Sequence, residues 1–364
     1  MNNELNAIVS NFNIWKHIEP YGDGHINETF EALPCAVRFI LQKINSDVFD
    51  KPEEVMENIE AVTEHLRKKI IGEGGDPLRE TLTIVKTLDG KSFYKTDGGR
   101  YYRMYIFIEG ARTYNVVEKP EHFYNAAKAF GRFQKLLADF PADKLHETIK
   151  DFHNTPKRFT DFEKAITNNI SGRADNVKKE IEFALKRKNI ASVITDAMKD
   201  GSIPLRVTHN DTKYNNIMID DLTGNAVAVI DLDTVMPGSL LYDYGDSLRF
   251  GTNPVSEDEK NLDLVYCDLN LFECFTRGFI EEMADTLTPD EIRLMPLSAR
   301  LMTLECGIRF LGDYINGDVY FRTAYSEHNL DRARTQFKLV YDMEQKQSEM
   351  DKIVSDIIGK LSEK

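Results

Sequence analysis

What the sequence lacks already removes several classes of answer. Only four cysteines (Cys35, Cys267, Cys274 and Cys306) stand in 364 residues. None forms a C-x-x-C pair or has a histidine at metal-ligand spacing, so buried free thiols are expected rather than a disulfide framework or a zinc site. No apolar run exceeds five residues, the longest being 104–108 and 226–230, so no helix is expected to span a membrane. The opening Met1-Asn-Asn-Glu-Leu5 has neither the charged nor the apolar region of a signal peptide, and a cytoplasmic setting is expected. Positive charge is also short. Against 60 Asp and Glu there are 46 Lys and Arg, a net charge of −14, which argues against a groove for nucleic acid. Phosphate-bearing small ligands stay open, because magnesium can mask local carboxylates.

What is present is the composition of a globular protein, 41% hydrophobic and 29% charged, with length for two lobes at ~150 residues each. The first ~110 residues read as strands around one helix. Runs 26–33 and 37–44 suit a hairpin across Pro34-Cys35. Val55, Ile59, Val62, Leu66 and Ile70 then recur at helical steps, with Pro52 in the first turn and Asp50 as the expected cap. Three further strand-like runs (81–88, 91–96 and 101–108) are parted by Asp89-Gly90 and Gly98-Gly99. From 120 the chain turns helical, beginning with 120–139. A β-island interrupts it, extended at 203–208 and hairpin-like at 217–219 and 226–230. Thr288-Pro-Asp-Glu291 is a capping box that opens a helix striped by Leu294, Leu297, Leu301, Leu304, Ile308 and Leu311.

The island carries the chemistry. Residues 209–216 read His-Asn-Asp-Thr-Lys-Tyr-Asn-Asn, and Ile230-Asp231-Leu-Asp233-Thr follows the hairpin. Phosphoryl transfer needs a carboxylate beside the attacking hydroxyl and oxygen ligands for magnesium. Asp211 and Asn216 have the spacing of a kinase loop, H-x-D-x-x-x-x-N. Asp211 would orient or deprotonate the hydroxyl, Asn216 and Asp231 would bind metal, and Lys213 would neutralise the phosphoryl group. A calcium-loop reading of Asp231-x-Asp233 fails, since Met236 stands where glycine is required. Asp246 and Arg249 are expected to brace the loop. Upstream, Gly22 and Gly24 let backbone approach phosphates, although Asn27 replaces the third glycine of a G-x-G-x-x-G. Glu60 lies mid-helix, where a kinase-like lobe keeps a glutamate.

These features resemble the aminoglycoside phosphotransferase and choline kinase superfamily, and within it the bacterial N-acetylhexosamine 1-kinases more closely. The resemblance runs from about residue 17 to 350 through Glu19-Pro-Tyr-Gly-Asp-Gly-His-Ile-Asn27, Val207-Thr-His-Asn-Asp-Thr-Lys213, Met236-Pro-Gly-Ser239 and Glu327-His-Asn-Leu330. It implies an α+β, protein-kinase-like fold, with a β-rich N-terminal lobe (1–110) and a mainly helical C-terminal lobe (111–364). It implies ATP and magnesium, with adenine near Phe107, Ile108 and Glu109 and phosphates near Gly22, Asp23, Gly24 and Gln42. His25, Asp211, Lys213, Asp231, Arg309 and Tyr320 would surround a sugar and its anomeric hydroxyl. Pattern alone would put Arg309 in a surface salt bridge. The usual phosphate-binding lysine is missing, because strand alternation places Gln42 rather than Lys43 at its position, and this leaves Glu60 without its partner. Two alternatives stay open: a cationic acceptor (choline, homoserine or an aminoglycoside), which would suit the −14 charge, and a pseudokinase. Partners beyond nucleotide and sugar are not implied, and a monomer is favoured.

Overall fold

The computed structural model describes residues 2–14, 18–22, 26–32, 37–114 and 119–362. The N-terminal lobe is built on an antiparallel sheet in the order β1-β2-β3-β5-β4. Its strands are β1 (Ile18–Pro20), β2 (Glu28–Ala32), β3 (Phe39–Ile44), β4 (Tyr94–Lys95) and β5 (Tyr101–Ile106). The period-two alternation of strands decides what each face holds. Leu41, Tyr102 and Met104 face α1 (Asn2–Ser10), packing on Leu5, Ile8 and Val9. Ile44, Tyr101 and Tyr105 face the other way, toward Val55, Ile59, Val62 and Leu66 of α2 (Pro52–Gly72).

The β2–β3 pairing agrees with the expected hairpin, Phe30 opposite Leu41, while the connecting residues 33–36 lie outside the described ones. Three expectations need correction. Helix α2 is entered through Lys51 with Pro52 in the first turn, and Asp50 is not its cap. The run 81–88 is no regular strand. It follows α3 (Pro77–Glu80) and touches β5 through one bridge, Ile84 to Tyr105, before Thr87 Oγ1 accepts the Lys91 amide (2.9 Å) and the chain reverses. The runs at 91–96 and 203–208 contract to two- and three-residue strands. Helix α1 went unforeseen, although Leu5, Ile8, Val9 and Phe12 sit at helical spacing.

The C-terminal part is mainly helical: α4 (Pro120–Leu136), α5 (Thr155–Asn168), α6 (Lys178–Leu185), α7 (Val193–Lys199), α8 (Leu240–Gly251), α9 (Leu269–Met283), α10 (Pro289–Asn316), α11 (His328–Gln345) and α12 (Gln347–Ser362). Two small antiparallel sheets are set among them. One pairs β7 (Arg206–Thr208) with β10 (Met236–Gly238), and the other runs β6 (Ala111–Arg112), β8 (Ile217–Asp220), β9 (Ala226–Val229). Helix α8 is buried on every side but its C-terminal end. It lies so close to α10 that a Cβ on Gly245 would stand 2.6 Å from the Ser298 carbonyl oxygen. Among the described residues no helix is long and apolar enough to cross a membrane. Of the described cysteines, Cys267 is buried, while Cys274 and Cys306 are free but only half-buried.

The expected capping box closes the start of α10. Thr288 Oγ1 accepts the Glu291 amide (3.2 Å), and Glu291 Oε2 accepts the Thr288 amide (2.8 Å). The same carboxylate pairs with Arg206 of β7 (Nε to Oε1, 2.6 Å), both groups buried. Removing one partner of a buried pair leaves an uncompensated charge at ~3–5 kcal/mol. Glu291→Ala is therefore expected to lower stability by ~3–5 kcal/mol, against ~1 kcal/mol for Thr288→Ala, which removes a cap alone. Urea unfolding of both variants checks the ranking.

Candidate active site

The loop 209–213 joins β7 to β8 and is held from beneath by one buried carboxylate. Asp243, in the first turn of α8, accepts the backbone amides of His209 (2.8 Å) and Asn210 (2.7 Å) and the Gln134 amide (2.6 Å). Burial pushes its carboxyl above the usual range, opposed by His209 and these hydrogen bonds. The Asp243 carbonyl also accepts from Thr212 Oγ1 (2.7 Å). Such bracing permits Asn210 its left-handed φ of 65°, a conformation asparagine tolerates better than most residues. His209 bonds the Ile230 carbonyl through Nε2 (2.9 Å), tying the loop to the end of β9. Asp246 and Arg249 are structural partners as expected, paired with each other (2.8 Å), and Arg249 also reaches Glu257 (2.6 Å), but among the described residues neither bonds the loop backbone. The brace is Asp243.

On this support Asp211 faces the cleft. Lys213 Nζ lies 2.8 Å from Asp211 Oδ1. Burial works to lower the lysine's pKa, but the Asp211 charge overrides it and the net shift is upward. Asn216 donates to the Asp211 carbonyl (2.7 Å) and Oδ2 (3.1 Å), which turns its amide oxygen away from Asp211. Asp231 caps a 3-10 turn (Leu232–Thr234) with φ 59° and ψ 60°. Asp231 is exposed to solvent at the cleft. Desolvation by the protein groups packed around it, then the charges of Asp233 and Asp211, push its carboxyl above the usual range against Arg103 and Lys213. Asp233, two residues on, is already engaged: it ion-pairs with Arg103 and accepts from Asn27 Nδ2 (2.6 Å).

Among the described residues no group of three His, Cys, Asp or Glu converges to hold a metal. Asp231 and the Asn216 amide offer two oxygens beside surplus negative charge. That donor set fits magnesium, which keeps several waters and takes only one or two protein oxygens alongside phosphate.

The N-terminal lobe covers this cleft. Gln42 shares the α2 side of the sheet with Arg103, directly opposite on β5, while Lys43 points elsewhere and pairs with Glu28 (2.5 Å). Glu60 pairs with Lys86 and has no link to β3. Gly22 is exposed at φ 71°, with nothing near its Cβ position. Asp23, Gly24 and His25 lie outside the described residues. After β5, Phe107 and Ile108 are buried, with Tyr21 edge-on to the Phe107 ring (5.7 Å). The Glu109 carboxylate is turned outward, bonded to Arg38 Nε (2.9 Å), and its carbonyl accepts from Arg79 (2.6 Å).

On the other side of Asp211, His153 reaches the Asn210 carbonyl (3.4 Å) through Nε2 and Glu305 (2.8 Å) through Nδ1. Next to it, Arg309 lies over rings rather than in the salt bridge that pattern suggests: Phe152 at 5.6 Å, Phe321 at 5.5 Å and Tyr320 at 6.0 Å. Tyr320 is mostly exposed, on a loop gathered by Asp313, whose carboxylate accepts the amides of Val319, Tyr320 and Phe321 (3.0, 2.8 and 2.9 Å).

Residues 17–270 match the phosphotransferase enzyme family, APH. The chain belongs to that family. Its kinase-like fold is shared with solved structures of low identity. A microcompartment-associated aminopropanol kinase has a TM-score of 0.64 at 13% identity, over 96% of this chain and 98% of that one. Spectinomycin phosphotransferase in complex with ADP and spectinomycin has 0.61 at 12%, over 95% and 99%. Choline kinase from Cryptosporidium parvum Iowa II has 0.56 at 13%, over 93% and 91%. At such identities the likeness is one of fold.

For this phosphotransferase-family chain, sequence reading located the loop but missed Asp243 and Arg103. Only the Tyr242-Asp-Tyr-Gly-Asp246 cluster of acids hinted at the first. Asp243→Ala would orphan the His209 and Asn210 amides, at ~1–3 kcal/mol each. It is expected to lower stability accordingly and to reduce phosphoryl transfer more than nucleotide affinity, because it loosens Asp211. Urea unfolding and nucleotide titration of the variant test both halves.

Proposed function

We propose that this phosphotransferase transfers the γ-phosphoryl group of ATP to the anomeric C1 hydroxyl of an N-acetylhexosamine (N-acetylglucosamine or N-acetylgalactosamine). The observation that carries the phosphoryl-transfer part is the apposition of Asp211, Lys213 and Asn216 with Asp231 across one cleft. Asp211 holds the acceptor hydroxyl and takes its proton, and Lys213 balances charge on the transferred group. The C1 hydroxyl is the most acidic on the sugar, which eases the demand on a carboxylate base. Asn216 and Asp231 would hold magnesium, which would supply neutralisation of phosphate charge. Residues 1–110 form the nucleotide side, with Gly22, Asp23, Gly24 and Gln42 toward phosphates and Phe107, Ile108 and Glu109 about adenine. Residues 111–364 supply the chemistry and, with His25, the sugar side, where Arg309 and Tyr320 hold the remaining hydroxyls.

A neutral acceptor is supported by the charge around Arg309. Arg158 donates twice to the Phe152 carbonyl (3.1 and 2.8 Å). Its pKa is lowered by burial, then by repulsion from Arg309. The acid between them, Glu305, is committed to His153 (2.8 Å) and Thr155 (2.6 Å). Against the one Glu305 charge, two guanidiniums leave local positive charge that opposes an ammonium-bearing acceptor, whatever the net charge of the whole chain. At pH 7, N-acetylglucosamine is expected to exceed glucosamine in kcat/KM by at least ~10-fold, the ratio that ~1.4 kcal/mol of repulsion produces. A preference for glucosamine, choline or an aminoglycoside would replace this reading.

Two experiments test the reaction itself. Phosphorus NMR should find a hexosamine 1-phosphate, and the 1-O-methyl glycoside should not turn over; a 6-phosphate refutes the 1-kinase assignment. Asp211→Asn should cut kcat by ~10²–10⁴-fold while ATP affinity stays near wild type.

A further inference from the structure

In kinase-like folds a strand lysine and a helix glutamate normally hold the nucleotide phosphates against the catalytic lobe. Neither half of that device is in place here, since Gln42 occupies the strand position and Glu60 is spent on Lys86. A different cation lies beside it. Arg103, one strand away on β5, is buried to 1% exposure, although arginine is almost never fully buried unless paired. It donates to Gln42 Oε1 through Nε (3.0 Å) and through the terminal Nη2 (2.8 Å). Its other terminal nitrogen crosses to the Asp233 carboxylate, itself 5% exposed. Asn27 bonds the second Asp233 oxygen (2.6 Å) and accepts the Asn45 amide at the end of β3 (3.0 Å).

Asp233 sits in the middle of the turn that Asp231 opens. The far end of that turn is latched to the catalytic loop, with Thr234 Oγ1 donating to the His209 carbonyl (2.6 Å) and Asn210 Nδ2 to the Thr234 carbonyl (2.8 Å). One short turn thus joins the N-terminal sheet to the loop that carries Asp211.

We propose that Arg103 is a positioning residue that replaces the lysine–glutamate pair: by gripping Asp233 it locks the 231–234 turn to the N-terminal sheet and aims the Asp231 carboxylate at the metal–phosphate position. Its burial keeps it from the nucleotide, so it acts through Asp233 and not by contact. The inference rests on the reading of the cleft as the site for ATP and magnesium.

The test is ATP binding by calorimetry with and without magnesium, alongside thermal unfolding, for the wild-type protein, Arg103→Lys, Arg103→Met and Arg103→Met/Asp233→Leu. The single Met variant strands a buried carboxylate and is expected to unfold early. The double variant removes both charges and is expected to keep a wild-type unfolding midpoint. With the midpoint restored, ATP affinity in magnesium should still fall ~10–100-fold, the usual effect of losing a group that orients a metal ligand. Affinity without magnesium should hold. Arg103→Lys, which keeps the charge but loses the fork, should fall between. A folded double variant, or a folded Lys variant, with the full magnesium-dependent gain in affinity overturns the role of Arg103 alone. Absence of magnesium-dependent ATP binding by the wild type overturns the nucleotide reading and this inference with it.

Discussion

Burying a carboxylate costs several kcal/mol unless hydrogen bonds replace its water, and Asp243 meets that demand with groups that matter elsewhere. Its partners are the amides of His209 and Asn210, the two residues before Asp211, and the side chain of Gln134 on α4. The carboxylate is therefore satisfied only when the loop adopts the conformation that presents Asp211 to the cleft. Helix α8 can deliver Asp243 there because Gly245 lets it approach α10 at backbone distance. The burial of α8 and the geometry of the loop are one constraint seen from two sides.

Charge is distributed unevenly about that loop. Asp211, Asp231 and Asp233 crowd one side, with Arg103 and Lys213 as partial counterweights. On the far side Arg158 and Arg309 stand together, with Glu305 committed to His153 and Thr155. A net charge of −14 describes the surface as a whole and says little about either half of the cleft. One half gathers carboxylates and the other guanidiniums, so the two halves carry opposite local charge.

Solved structures of an aminopropanol kinase and a choline kinase share this fold at 13% identity. Little sequence is needed to keep a two-lobe fold, whose strands and helices require only apolar spacing and turns. The group around Arg309 is instead assembled from separate segments: Phe152 ahead of α5, Arg158 in its first turns, Arg309 on α10, and Tyr320 on the loop that follows.

The division between legible and hidden features follows from the range of the interactions involved. Contiguous features could be read directly: the eight-residue loop at 209–216, the capping box at 288–291, the α2 stripe and the β8–β9 hairpin. The orientation of Gln42 against Lys43 was legible as well, because alternation along a strand is local. Hidden from a linear reading were the pairing of Arg103 with Asp233, the grip of Asp243 on the loop, the diversion of Glu60 to Lys86 and the stacking of Arg309 on rings. Each joins residues on different elements, and no periodicity records which buried charge a distant segment will meet. Local spacing determined most of the elements and pointed to the candidate loop. Which groups are satisfied, and which stay free to act, was decided only when the lobes closed over them and water was removed.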